Sequence, residues 1–159
     1  MNAIVAVYSD WGIGKDGTQP LVIPDDRRHF REVTGTGALI VGRRTLEDFP
    51  GQKPLKNRLN IVLSRHNINI EGALVAHSPG EAAELAQNEP SVFVVGGGSV
   101  YDAMLPFVDR VYVTKIDAGP ESDTFFKNLD ADPAWQIVSD GAEAEHDGVR
   151  YRYMIYERV

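Results

Sequence analysis

Residues 91–105, SVFVVGGGSVYDAML, join a β-strand to an α-helix through three glycines. The apolar run 91–95 is rich in β-branched residues and indicates a buried strand, whereas 99–105 has helical spacing. Glycine lets the backbone approach a ligand closely, and the free N–H groups of a helix N-terminus suit phosphate. Because the stretch is not a G-x-G-x-x-G fingerprint, both a plain turn and a phosphate site remain open on the residues alone.

The alternation of strand and helix continues on both sides of this unit. Ser78, Pro79 and Glu81 form a capping box with proline at the first helical position, which predicts a helix from there to about residue 87. The other segments before residue 105 are predicted strands at 3–8, 38–41, 59–63 and 73–76, a loop at 9–21, and helices at 25–33 and 44–49.

The pattern changes after residue 105. Predicted strands at 110–116, 135–139 and 149–156 follow one another without helices, and Asp147-Gly148 indicates a hairpin turn between the last two. We therefore predict an α/β fold in a single domain, residues 1–159. It has a central, mostly parallel mixed β-sheet with an antiparallel C-terminal edge strand and helices on both faces. Sheets of this kind bind ligands at the carboxyl ends of their strands.

The composition excludes several functional classes. The chain is 43% hydrophobic and 25% charged, as globular domains are, and it has no cysteine, which excludes disulfides, thiol catalysis and Cys-based metal sites. The net charge of −7 comes without a basic stripe, so we expect no nucleic-acid partner. No apolar run approaches a membrane span, no signal peptide is evident, and the four histidines lack metal-ligand spacing, so we expect no membrane partner and no metal.

Asp26 is the candidate acid. At 100° per residue, Asp26 shares one helix face with Phe30 and Val33, which we expect to face the core. A carboxyl group carried into apolar surroundings is desolvated, its pKa rises, and it becomes a candidate general acid. The alternative is that Asp25 and Asp26 only complement the positive end of the helix.

Arginines follow several predicted strands. Gly42-Arg43-Arg44-Thr45 and Ser64-Arg65, the latter directly after Leu63, could hold the 2′-phosphate of NADPH, because guanidinium groups bind phosphate. Arg58 precedes another strand and could bind a substrate carboxylate. Solvated surface arginines are the alternative in each case.

In order and spacing, these motifs are those of the dihydrofolate reductases, which the chain resembles over essentially its whole length. The matching stretches are Trp11-Gly12-Ile13-Gly14, Asp16-Gly17, Pro20, Ile23-Pro24-Asp25-Asp26, Phe30, Val41-Gly42-Arg43-Arg44-Thr45, Pro54-Leu55, Arg58, Asn60, Leu63-Ser64-Arg65, Val94-Val95-Gly96-Gly97-Gly98, Val100-Tyr101, Thr114 and Asp123-Thr124-Phe125-Phe126.

The resemblance implies reduction of 7,8-dihydrofolate to tetrahydrofolate for one-carbon metabolism, with hydride passing from C4 of NADPH to pterin C6 and Asp26 assisting protonation at N5. It also implies a cytoplasmic monomer, inhibition by antifolates, a mobile loop at residues 9–21 and a cis peptide at Gly96–Gly97. The implied substrate-binding residues are Val5, Ala6, Arg27, Phe30, Phe49, Leu55, Arg58, Val95, Tyr101 and Thr114. The implied cofactor-binding residues are Ala6, Val7, Ile13, Gly14, Gln19, Gly42, Arg43, Arg44, Thr45, Leu63, Ser64, Arg65, His77, Gly96, Gly97, Gly98, Ser99, Val100, Tyr101 and Thr124.

The chain departs from the family pattern at two positions near the acid. Leu21 follows the loop proline where the family usually has tryptophan, which puts proton delivery in question. Arg27 follows the acid where the residue is often apolar, and it either strengthens binding of an anionic tail or extends to solvent.

Two other functions remain open at this point. One is a related NADPH-dependent reductase of another pterin or of a ribosylated pyrimidine, and the other is a non-catalytic nucleotide-binding protein. The combination of Asp26 and Arg58 favours folate, because only folate needs both an acid and a carboxylate clamp.

Overall fold

A computed structural model describes residues 1–159, which divide into two compact units. The first unit is Met1–Ala3 with Thr34–Val108, and the second is Ile4–Val33 with Asp109–Val159. In chain order the strands and α-helices are β1 (Asn2–Val7), β2 (Gly12–Gly14), α1 (Pro24–Thr34), β3 (Ala38–Gly42), α2 (Arg43–Glu47), β4 (Asn60–Leu63), β5 (Leu74–Ala76), α3 (Pro79–Leu85), β6 (Val92–Gly96), α4 (Gly98–Met104), β7 (Arg110–Ile116), β8 (Thr124–Phe125), β9 (Trp135–Asp140), β10 (Ala144–His146) and β11 (Val149–Arg158).

The first unit is built on parallel strands. The start of β1 pairs with β6, and the order continues through β3 and β4 to β5, with every one of these pairs parallel. Ile40, Val41, Ile61, Val62 and Val94 are fully buried, as expected for strands covered on both faces. The parallel register brings the carboxyl ends of these strands into one row.

The second unit contains the antiparallel part of the sheet. Strand β7 neighbours β1, and β11 pairs antiparallel with β7, β9 and β10. Asp147 and Gly148 form the hairpin turn, with φ values of 49° and 80° that suit a type I′ turn. The predicted turn is confirmed, but its first strand is β10 rather than the segment 135–139. The antiparallel C-terminal edge that we predicted is confirmed: β9 and β10 form it, and both pair with β11.

The α/β class and the mixed, mostly parallel sheet are confirmed, whereas the placement of helices on both faces and the single-domain span stay predictions. The segment 9–21 is not a plain loop, because it contains β2, which pairs with β8, and a bridge between Lys15 and Thr18. No helix is both long enough and apolar enough to cross a membrane.

The capping box at α3 is confirmed with one difference. The Glu81 N–H donates to Ser78 Oγ at 3.1 Å, but the Glu81 carboxylate accepts from the N–H of His77, not from that of Ser78. The helix ends at Leu85, two residues before the predicted end.

Candidate active site

Asp26 lies in the first turn of α1, with its side chain half-buried. The hydroxyl of Thr114, a buried residue of β7, donates to Asp26 Oδ1 at 2.6 Å. Burial raises the pKa of the Asp26 carboxyl above its ordinary value, although the Thr114 bond and the charge of His29 act in the opposite direction. Oδ2 has no hydrogen-bond partner in the chain.

The face of α1 that carries Asp26 is less buried than we predicted. Phe30 and Val33 are half-buried, and Thr34 is the one fully buried residue of the helix. The desolvation of Asp26 therefore comes from side chains outside α1 as well as from its own helix.

Two tyrosines and a histidine surround the acid, and sequence reasoning assigned them no role. Tyr153 on β11 is the register partner of Thr114, and the His29 ring stacks on it with centroids 3.8 Å apart. The Tyr151 hydroxyl donates to Asp25 Oδ2 at 3.2 Å. Burial and the nearby Asp26 charge raise the pKa of Tyr153 to about 12, so its hydroxyl stays protonated. The sequence did contain an indication for His29, since it follows Asp26 by one helical turn and therefore lies near it on the helix surface.

Arg58 is held by the end of α1. Its Nη1 donates to Thr34 Oγ1 at 2.7 Å, while its Nε is buried without an acceptor. Burial lowers the pKa of the Arg58 guanidinium. A buried N–H without an acceptor requires an explanation, and a ligand carboxylate would supply one. The guanidinium is therefore not the freely solvated surface group of the alternative interpretation.

The other predicted substrate residues differ in exposure. Val5, Val95 and Tyr101 are buried, whereas Arg27 is exposed and makes no ion pair within the chain. Half-buried positions are held by Ala6, Phe30, Phe49 and Leu55. An apolar side chain that is only half-buried keeps an accessible surface that a flat ring of a ligand can contact.

The glycine turn, Gly96–Gly98, follows β6. The Gly96–Gly97 peptide is cis, as the resemblance implied, and Gly96 has a φ of 117°. A Cβ at Gly96 would lie 3.3 Å from the Tyr101 ring, and one at Gly97 would lie 3.4 Å from Thr45 Oγ1. The turn is therefore enclosed by side chains of its own unit, followed by Ser99 and Val100 in α4.

The predicted residues for phosphate binding follow strands whose carboxyl ends lie in one row. Gly42 pairs with Leu63, and Leu63 pairs with Ala76, so the segments after β3, β4 and β5 begin side by side. The residues that follow are Arg43, Arg44, Thr45, Ser64, Arg65 and His77.

Within this row the cations are not equivalent. Arg43 already pairs with Glu47 at 3.3 Å, whereas Arg44 and Arg65 are exposed and have no ion-pair partner in the chain. The Ser64 carbonyl lies 3.0 Å from Nδ1 of His77, so Nδ1 carries the hydrogen and Nε2 stays available. Arg44 and Arg65 are the two cations free to meet a phosphate.

Asp123 holds the glycine-rich loop at residues 9–21, a contact that sequence reasoning missed. Its carboxylate accepts from the Asp16 N–H at 3.0 Å, and its own N–H donates to the Gly14 carbonyl at 2.9 Å. Lys15 adds an ion pair with Glu121 at 2.6 Å. The predicted cofactor residues Ile13, Gly14 and Gln19 lie on this loop, Val7 ends β1 before it, and Thr124 donates to Asp123.

The chain is similar to a known family over nearly its whole length. Residues 1–158 match the sequence profile of the family described as dihydrofolate reductase. The dihydrofolate reductase of Staphylococcus haemolyticus is 37% identical, with 100% of this chain and 96% of the relative covered. That of Bacillus subtilis is 33% identical, with coverage of 98% and 92%. The fold is similar to dihydrofolate reductase from Enterococcus faecalis complexed with NADP(H) and RAB-propyl, with a TM-score of 0.86, 34% identity and coverage of 99% and 95%.

Proposed function

Because the chain belongs to the dihydrofolate reductase family and reduces dihydrofolate with NADPH, we propose that Asp26 holds the proton that the substrate pterin gains. The observation that carries this proposal is the half-buried Asp26 carboxyl, with Oδ1 bound by Thr114 and Oδ2 free. The family assignment replaces the two alternatives, a reductase of another pterin or pyrimidine and a non-catalytic binding protein.

The Thr114 bond supports the assignment of the proton to one oxygen of Asp26. With Oδ1 accepting from Thr114 at 2.6 Å, the proton resides on Oδ2, which is free to meet polar atoms of a pterin ring. The raised pKa of Asp26 keeps a larger fraction of the enzyme protonated near neutral pH than an ordinary aspartate would. The reduction adds a hydride at C6 and a proton at N5, and Asp26 assists the second of these additions.

We assign the anionic tail of the substrate to Arg58. Its buried, unpaired Nε and its Thr34 anchor hold the guanidinium in one orientation, which favours a planar, bidentate carboxylate contact. Arg27 remains a candidate for a second tail contact, because it is exposed and has no ion-pair partner in the chain. Around the ring and benzoyl group we place Val5, Ala6, Phe30, Phe49, Leu55, Val95 and Tyr101.

The donor set at the strand ends fits a phosphorylated dinucleotide. Arg44 and Arg65 are free cations for the 2′-phosphate, Thr45, Ser64 and His77 add polar groups, and the backbone of the glycine turn suits the pyrophosphate. When bound, NADPH supplies the hydride from nicotinamide C4. We place its nicotinamide side against Ala6, Val7, Ile13, Gly14 and Gln19. The remaining cofactor contacts in this proposal are Gly42, Arg43, Leu63, Gly96, Gly97, Gly98, Ser99, Val100, Tyr101 and Thr124.

Three further properties belong to the proposal. We expect the enzyme to act as a monomer, to work in the cytoplasm, and to bind antifolate-type inhibitors at the pterin site. Size-exclusion chromatography with light scattering tests the first of these, and fractionation of the source cells tests the second. Competition of an antifolate with dihydrofolate tests the third.

Asp26→Asn tests the acid assignment. The amide keeps the shape of the side chain but loses the exchangeable acid, so hydride transfer at neutral pH should fall by ~10² or more. Absorbance loss of NADPH in the presence of dihydrofolate measures the rate.

Asp25→Asn is the matched control, because Asp25 is an aspartate of the same helical turn that is exposed and bound to Tyr151. Its rate should stay within a few-fold of the unmodified enzyme. A folded Asp26→Asn enzyme that keeps full activity at neutral pH would show that another group supplies the proton.

A further inference from the structure

His29 is fixed beside the acid by two structural connections. Along α1 it follows Asp26 by three residues, which places both on neighbouring positions of the helix surface. The His29 ring also stacks on Tyr153 of β11, with ring centroids 3.8 Å apart and ring planes 15° apart. Tyr153 is the register partner of Thr114, which donates to Asp26. The imidazole is half-buried and has a defined orientation in this cluster.

We propose that His29 is a positioning residue for the acid: by gaining or losing its own charge, it sets the pH range over which Asp26 holds the proton used in catalysis. The proposal rests on Asp26 being the acid, as proposed above. It assigns a role to a side chain that is not among the predicted substrate- or cofactor-binding residues, and the role depends on the charge of the imidazole rather than on its shape.

The direction of the effect follows from the signs of the charges. An imidazolium ion favours the carboxylate form of Asp26, so it opposes protonation of the acid. Burial lowers the pKa of His29, and the Asp26 charge acts in the opposite direction. As the pH falls, protonation of either group therefore makes protonation of the other harder, and the two titrate as a coupled pair.

The other charged groups of the cluster do not duplicate this behaviour. On α1, Arg28 pairs with Asp25 and Glu32, and Arg27 is exposed. Arginine keeps its charge at every accessible pH. On β11, the raised pKa values of Tyr151 and Tyr153 keep both hydroxyls neutral, and on β7 Thr114 does not ionise. His29 is the one histidine of the cluster, and histidine is the side chain that changes charge between pH 5 and 8.

The first experiment compares pH profiles of single-turnover hydride transfer at saturating NADPH and dihydrofolate. His29→Gln removes the charge, so the apparent pKa of the rate should move to higher pH, with a rate gain of about threefold where His29 is charged in the parent enzyme. His29→Phe keeps an aromatic ring on Tyr153 without a charge and should show the same shift. His66→Gln, at an exposed histidine of the first unit, should leave the profile unchanged.

Three kinetic outcomes would overturn the proposal. The first is a His29→Gln profile that superimposes on the parent profile. The second is a shift in His29→Gln that disappears in His29→Phe, because stacking rather than charge would then be responsible. The third is an equal shift in His66→Gln, because the effect would then not depend on position.

The second experiment measures the electrostatic coupling between His29 and Asp26 without an activity assay. The His29 imidazole is titrated by NMR in the parent enzyme and in Asp26→Asn, where the opposing charge is gone. The pKa of His29 should be lower in Asp26→Asn, because the coupling between two titrating groups is reciprocal. Identical His29 titrations in the two proteins would refute the inference.

Failure of this inference and failure of the acid assignment are distinguishable. Full activity in Asp26→Asn would remove the acid assignment, whatever the histidine does. Loss of activity in Asp26→Asn together with unshifted profiles in both His29 variants would leave Asp26 as the acid and remove only the role of His29.

Discussion

The acid cluster around Asp26 and the glycine turn at Gly96–Gly98 are built in opposite ways. In the acid cluster, Thr114, Tyr153 and His29 surround one carboxyl, and burial together with these polar side chains shifts its pKa. In the glycine turn, the backbone is the surface that we propose for cofactor contact, and side chains are absent where the chain must turn. The acid cluster should therefore be sensitive to substitutions that remove a polar group, and the glycine turn to substitutions that add a side chain.

Gly96→Ala should give the largest effect on stability. The added Cβ would meet the Tyr101 ring at 3.3 Å, and a φ of 117° is unfavourable for any residue with a Cβ. We expect a loss of about 1–3 kcal/mol in the free energy of unfolding, together with weaker NADPH binding. Urea unfolding and cofactor titration measure the two effects.

Gly80→Ala is the control for this substitution. Gly80 lies inside α3, has no positive φ, and a Cβ there meets nothing within 4 Å. Alanine should be neutral or stabilising by up to ~1 kcal/mol. Equal losses in the two variants would mean that the conformation of Gly96 is not what limits substitution there.

Arg65→Ala should have an intermediate effect, and the property it changes is the preference for NADPH over NADH. Arg65 is exposed and has no ion pair to lose within the chain, so the fold should tolerate its removal. If it binds the 2′-phosphate, the KM for NADPH should rise by about tenfold, because a charge-assisted contact is worth roughly 1.4 kcal/mol. NADH lacks this phosphate and is the internal control. Equal changes for both cofactors would argue against a phosphate contact.

Thr114→Val should have a smaller, few-fold effect on catalysis. The variant removes the hydrogen bond that favours the carboxylate form, so the apparent pKa of Asp26 should rise further. A pH profile of hydride transfer checks the direction of this shift. Thr114→Ser restores the hydroxyl and should restore the profile, and a downward shift in the valine variant would contradict the assignment of this bond.

On stability, in contrast to its large effect on the rate, Asp26→Asn should give the smallest change of the series, an increase of a few degrees in Tm at most. The pKa of Asp26 is raised by folding, so its contribution to stability is present below the pKa of the unfolded chain and lost as the pH rises through the folded value. The variant should therefore gain Tm relative to the parent at pH 8 but not at pH 4. A Tm difference that does not change with pH would contradict the burial of this charge.

Much of the fold could be predicted because its central strands are simple. Strands β3, β4 and β6 are continuous apolar runs, and each was located to within one residue at either end. Strands β2, β8 and β10 were missed because each has only two or three residues and exists through pairing with a distant partner. Such pairing leaves no local hydrophobic period to detect.

In the candidate site, too, some features were predictable from local patterns and others depend on distant contacts. The neighbouring positions of the segments that carry Arg44 and Arg65 were predictable, because parallel register places the residues after neighbouring strands side by side. The bond from Asp16 to Asp123 spans 107 residues, and no single-sequence pattern indicates it. The burial of Phe30 was overestimated, because helical periodicity gives the direction of a face and not how completely other elements cover it.

The row of strand ends at Gly42, Leu63 and Ala76 has a consequence for how this protein can evolve. The row itself is held by sheet hydrogen bonds, while Arg44, Arg65 and His77, which follow it, are exposed. Exchanging those exposed side chains should cost little in folding, so, under the proposed phosphate contact, preference between the two nicotinamide dinucleotides can drift or be redesigned on an unchanged scaffold. The acid has no comparable freedom, because the half-buried side chains around it shift its pKa.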